Sequence, residues 1–114
     1  MGVISGIIEA IKSAFRWLTN IIITIIRGVL SFAREVVGWF KRQFLDPETD
    51  VPFLADVNKF KEQLHNAPVR NVGIFEGVYD EETDEIKACR CLDADEIDAD
   101  TKKVLGDEEL VVLS

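Results

Sequence analysis

The chain predicts an α+β protein, with a long N-terminal amphipathic helix followed by a small α-β-β-α-β domain. Three observations carry that reading. Apolar residues recur at alternating four- and three-residue steps between residues 4 and 39. That period of about 3.5 belongs to a helix with a continuous seam. Charge divides the chain: residues 1–45 hold six bases and two acids (+4), whereas residues 46–114 hold 7 bases and 19 acids (−12), together the −8 of the whole chain. Beyond residue 70, short runs rich in Val, Ile, Phe and Tyr alternate with acidic turns, as in a hairpin.

The helix comes first. Its seam is Ile4, Ile8, Ile11, Phe15, Leu18, Ile22, Ile25, Val29, Phe32, Val36 and Trp39. With Ile8 at position a, the flanking e and g positions are mostly small or apolar as far as Ala33, where a dimeric zipper would carry Glu and Lys. Ile23, Leu30, Val37 and Phe44 widen the stripe further. Such a face suits a bundle of several helices or the acyl boundary of a bilayer. The basic face comprises Lys12, Arg16, Arg27, Arg34, Lys41 and Arg42. A basic amphipathic helix joined to an acidic body reads as a surface-binding segment on a soluble head, oriented by anionic lipid.

Other uses of the segment fit less well. Only ten uncharged residues separate Arg16 from Arg27, against the about 20 that a lone transmembrane helix needs. In an oligomer the helices could still cross, with Arg27, Arg34 and Glu35 facing a wet lumen. The N-terminus lacks a basic n-region and a small-x-small cleavage site, so no secretory signal is expected.

Asp46-Pro47 breaks the helix, and residues 46–52 form a polar linker to a domain over residues 53–114. That domain opens with a predicted helix over residues 52–65, where Leu54, Val57, Phe60 and Leu64 share a face. Strands over residues 71–79 and 85–92 flank the acidic turn 80–84. Asp98 or Asp100 caps a short helix ending at Leu105, with Gly106 after it. Leu110, Val111, Val112 and Leu113 make a closing strand.

Little in the chain points to catalysis. Cys89 and Cys91 are two apart, so on a strand they share a face, but one histidine and no further cysteine leave a zinc site without its ligands. They read as reduced strand cysteines. Asp93, Asp95, Glu96, Asp98 and Asp100 lack the glycine and spacing of a calcium loop. His65 sits beside a predicted helix end, where it favours the dipole. Phosphate-loop, dinucleotide and nucleophile-elbow motifs are missing. No enzyme activity, cofactor or metal is therefore expected, and the acidic head argues against nucleic acid.

The expected function is a non-enzymatic scaffold. More than two copies assemble through the N-terminal helix and coat the cytoplasmic face of an anionic membrane, with the acidic head free for a protein partner. The alternatives are a pore formed by the same helices, and a soluble bundle or filament subunit that anchors a partner.

Overall fold

The structure is a computed structural model that describes residues 2–18, 21, 23–59 and 71–113, the side chains of residues 2–5 excepted. The chain begins with helix α1 (Gly2–Ala14), which tightens into a 3₁₀ turn (Phe15–Trp17), and continues as strand β1 (Ile23–Leu30). A π-helical segment (Phe32–Val37) then runs into α2 (Gly38–Arg42). Strands β2 (Asp50–Asp56), β3 (Val72–Asp80) and β4 (Glu85–Ile97), helix α3 (Ala99–Leu105) and strand β5 (Leu110–Val112) complete it. The five strands form one mixed sheet in the order β1-β4-β3-β2-β5. Among the described strands only the β1–β4 pair is parallel.

The long N-terminal helix expected from the heptad pattern is not present, and neither is a coiled coil. The longest helix, α1, has 13 residues. The reason lies in residue type. Residues 21–26 read Ile-Ile-Ile-Thr-Ile-Ile, and a stretch that is almost wholly apolar satisfies a period of 3.5 as readily as any other. Every one of those residues is β-branched, which restricts χ1 in a helix and suits a pleated strand. β1 then departs from regular pairing between Ile26 and Val29, where Gly28 takes φ +95°. Only glycine enters that region without strain. The Gly28 N–H donates to Asp95 Oδ2 at 2.8 Å.

A second correction concerns β2. Residues 52–56, expected to open a helix, lie in a strand that pairs with β3 on one side and β5 on the other. The residues expected to continue that helix, 60–65, fall outside the described set. Residues 50–52, assigned to a linker, also belong to β2, and Asp50 is buried there with Lys87 Nζ 2.5 Å from its Oδ2.

Helices cover both faces of the sheet. On one, α1 lays Ile11, Ala14 and Phe15 against Val51, Phe53, Ala55, Phe75, Tyr79 and Cys91. Phe15 meets Phe53 edge-on at 5.8 Å and Phe75 at 4.9 Å, while Phe53 and Phe75 stack at 5.9 Å. Gly77, opposite Phe53 in the ladder, makes room for this ring. A Cβ there would lie 2.3 Å from Phe53 Cζ.

The other face carries the π-helical segment, α2 and α3. Val36, Trp39, Phe40 and Leu105 pack on Leu54, Ile74, Val78, Leu92 and Ala94. Asp98 fastens this layer. Its Oδ1 accepts the Thr101 N–H at 2.9 Å and caps α3, while its Oδ2 accepts the Phe32 N–H at 2.9 Å. One carboxylate thus receives an orphan N–H from each of two helix starts, where the local dipole favours negative charge.

Candidate functional site: the β1 sheet edge and an apolar groove

The sheet distributes the residues of the expected helix seam over three surroundings. Ile8, Ile11, Phe15 and Leu18 join the α1 face, whereas Phe32, Val36 and Trp39 join the opposite face. Ile25 and Val29 lie on β1 and face solvent, at 70 % and 50 % exposure. The Ile4 side chain and Ile22 lie outside the described residues. The seam therefore has partners inside the chain on both sides of the sheet, and among its described members Ile25 and Val29 are left uncovered.

The basic residues disperse in the same way. Lys12 on α1 pairs with Glu109 at 2.5 Å, and that hydrogen bond raises its pKa. Arg16 follows α1, Arg27 lies on β1, Arg34 on the π-helical segment, and Lys41 and Arg42 on α2, all five exposed. They do not line one face of one helix.

β1 is the longer of the two sheet edges, with eight residues against three in β5. Among the described residues it pairs with β4 alone. Its sequence, Ile-Thr-Ile-Ile-Arg-Gly-Val-Leu, has neither proline nor lysine. Natural edges are commonly blunted by such residues, because unpaired N–H and C=O groups template further pairing. Here the Gly28 irregularity and Arg27 are the only interruptions of the run.

A second feature lies beneath Trp39. Glu76 on β3 is fully buried, and its Oε1 takes Arg90 Nη2 at 3.1 Å and Nε at 3.2 Å. Arg90 also donates to the Glu35 carbonyl at 2.6 Å and lies 5.6 Å from the Trp39 ring centroid. Glu76 Oε2 has no hydrogen-bond partner among the described residues. Burial outweighs the attraction of Arg90 and pushes the Glu76 carboxyl up to about 8. This is a proton-holding acid near neutral pH, yet it is sealed: neither Glu76 nor Arg90 lines the groove described next.

That groove, about 720 Å³, opens on the same face between the π-helical segment with α2, α3, and the β2–β5 side of the sheet. Phe32, Val36, Phe40, Val104, Val111 and Leu113 form its walls, and among the described residues Lys41 is the one charged residue that lines it.

Cys89 and Cys91 project to the α1 face of β4. Burial raises both thiols, Cys91 to about 12, so neither is poised as a thiolate. The acidic stretch has structural duties. Asp93 accepts the Asn71 N–H, Asp95 accepts from Gly28, and Asp98 caps α3. Among the described residues no cluster of three or more His, Cys, Asp or Glu could hold a metal ion. His65 lies outside them. The groove, the Glu76–Arg90 pair and the edge role of β1 escaped the sequence reading. One signal was visible: a glutamate in the middle of the apolar run Val-Gly-Ile-Phe-Glu-Gly-Val-Tyr.

No family model, curated protein or solved structure matches this chain.

Proposed function

We propose that the protein is a non-enzymatic assembly subunit that joins a second copy of itself through the edge of β1, which among the described residues has no further strand beside it. The observation that carries this reading is the eight-residue β1 edge with Ile25 and Val29 uncovered. Two such edges related by a two-fold axis present the same surface to each other, which closes the contact at a pair. Antiparallel pairing would satisfy the outward backbone groups and extend each five-stranded sheet into a continuous one across both copies. Burying the exposed parts of Ile25 and Val29 adds a hydrophobic contribution on the order of 1–2 kcal/mol per side chain.

A membrane-surface role has less behind it. The apolar side of α1 that would face lipid is turned onto the sheet through Ile11, Ala14 and Phe15. Among the described residues no helix is long and apolar enough to cross a membrane.

Sedimentation equilibrium tests the proposal. The wild-type chain should run at twice its 12.9 kDa mass, and the double variant Ile25→Lys/Val29→Lys at one. Both positions face solvent, so the fold should survive, as circular dichroism would report. A wild-type monomer at tens of micromolar, or a double variant that still pairs, would refute the edge contact.

A further inference from the structure

The groove on the α2–α3 face has no role in edge pairing, because it lies toward β2 and β5 and β1 is at the far side of the sheet. Its lining is selective in an unusual way. Of the eleven described residues that line it, Lys41 alone carries a charged or hydrogen-bonding side chain; the rest are Phe, Val, Leu and Pro. A polar ligand body would find few groups on those walls to replace its bonds to water. A purely apolar one would leave the ammonium idle.

Lys41 is exposed, and among the described residues no carboxylate pairs with it. We infer that the groove binds a single-chain fatty-acid anion, with the alkyl chain along the Phe32, Val36, Phe40, Val104 and Val111 walls and the carboxylate at Lys41. The argument is charge complementarity at one end and mostly apolar surface elsewhere. A volume of about 720 Å³ falls within the roughly 300–1,000 Å³ common for small-molecule sites. Each added methylene buries more apolar area, so affinity should climb with chain length until the groove is filled. The lysine stem can lie along the apolar wall while its head stays in water beside the carboxylate.

The test uses the full chain and three probes, octanoate, laurate and methyl laurate, below their aggregation concentrations. Titration calorimetry should show saturable one-to-one binding of laurate, at least tenfold tighter than octanoate. Methyl laurate, which lacks the charge, should bind at least fivefold more weakly than laurate. The Lys41→Glu variant should lose at least tenfold in laurate affinity and leave methyl laurate almost unchanged. A second variant, Val104→Gln, narrows the apolar wall and should weaken both ligands. Laurate that fails to bind overturns the inference, as does equal binding of acid and ester. If a second copy of the chain fills the groove instead, Lys41→Glu and Val104→Gln will lower the sedimented mass and laurate will not bind. The same variants should leave β1-edge pairing intact, so loss of one behaviour does not entail loss of the other.

Discussion

Replacing Gly77 with alanine is the sharpest test of the packing on the α1 face, because two effects of opposite sign compete there. Within a strand, glycine loses more backbone freedom on folding than alanine does, so a substitution free of contacts would stabilise by roughly 0.5–1 kcal/mol. At this position the added Cβ would lie 2.3 Å from Phe53 Cζ and 2.6 Å from Cε1, where ordinary contact begins at 3.4 Å. The ring would have to withdraw by 1.1 Å (3.4 − 2.3). It has nowhere to go: Phe53 is fully buried, stacked on Phe75 and met edge-on by Phe15.

Overpacking of this kind costs about 1–3 kcal/mol. The expected balance is a net loss of roughly 1–2 kcal/mol, or a fall in Tm of about 4–8 °C for a domain of this size. Urea denaturation of Gly77→Ala measures the loss. The double variant Gly77→Ala/Phe53→Leu identifies its source, since a smaller side chain leaves room for the methyl. The two changes should then be less than additive in their combined destabilisation. A Gly77→Ala protein as stable as wild type, or a strictly additive cycle, would refute the reasoning.

Two further outcomes follow from the opposite face. The Glu76 carboxyl, normally near 4.5, is raised by burial to about 8. In the folded state it keeps its proton between those values while the unfolded chain gives it up. Its contribution is therefore present below pH 4.5 and lost as pH rises toward 8. The stability of Glu76→Gln should fall less than that of wild type across that interval, by an amount on the order of a few kcal/mol, and a pH-independent difference in urea stability between the two would sink the assignment. Asp98 behaves with the reverse sign. Its hydrogen bonds, first from Thr101, lower its pKa, so its support holds above the ordinary carboxylate range and fades as pH falls through the lowered value. Asp98→Ala should cost about 1–2 kcal/mol for a lost cap, and hydrogen exchange should quicken both at Thr101 and at Phe32. Faster exchange at Thr101 alone would show that the second helix start does not depend on it.

How much of this was legible in the chain depended on how local the signal was. The β3–β4 hairpin, the Asp98 cap, Gly106 after Leu105 and the closing strand rest on turn and cap chemistry within a few residues, and each is present. The break between α1 and β1 was not legible by period, because the run from Ile21 to Ile26 offers apolar residues at every spacing. β-Branching was the available signal and a seam count ignores it. β2 was hidden by its position. With both faces covered, Val51, Phe53 and Ala55 are buried on one side and Leu54 on the other, so the alternation that marks a half-exposed strand is absent. The candidate surfaces suffered from distance in sequence. The groove is assembled from residues between Phe32 and Leu113, and no window along the chain contains it. Ile25 and Val29 belong to the expected seam, and the structure leaves them exposed on β1, an edge that among the described residues pairs with β4 alone.

The parallel pairing of β1 with β4 also sets an order of events during synthesis. Ile23 meets Cys91, which lies 68 residues later (91 − 23). At the usual about 5–20 residues per second, the ribosome takes roughly 3–14 s to supply that partner. Through that interval the Ile-Thr-Ile-Ile run exists without its β4 partner, and the loop that must then close is a long one. Expression at lower temperature lengthens the delay while weakening apolar self-association. The yield of soluble protein should thus depend on how quickly the second half of the chain follows the first.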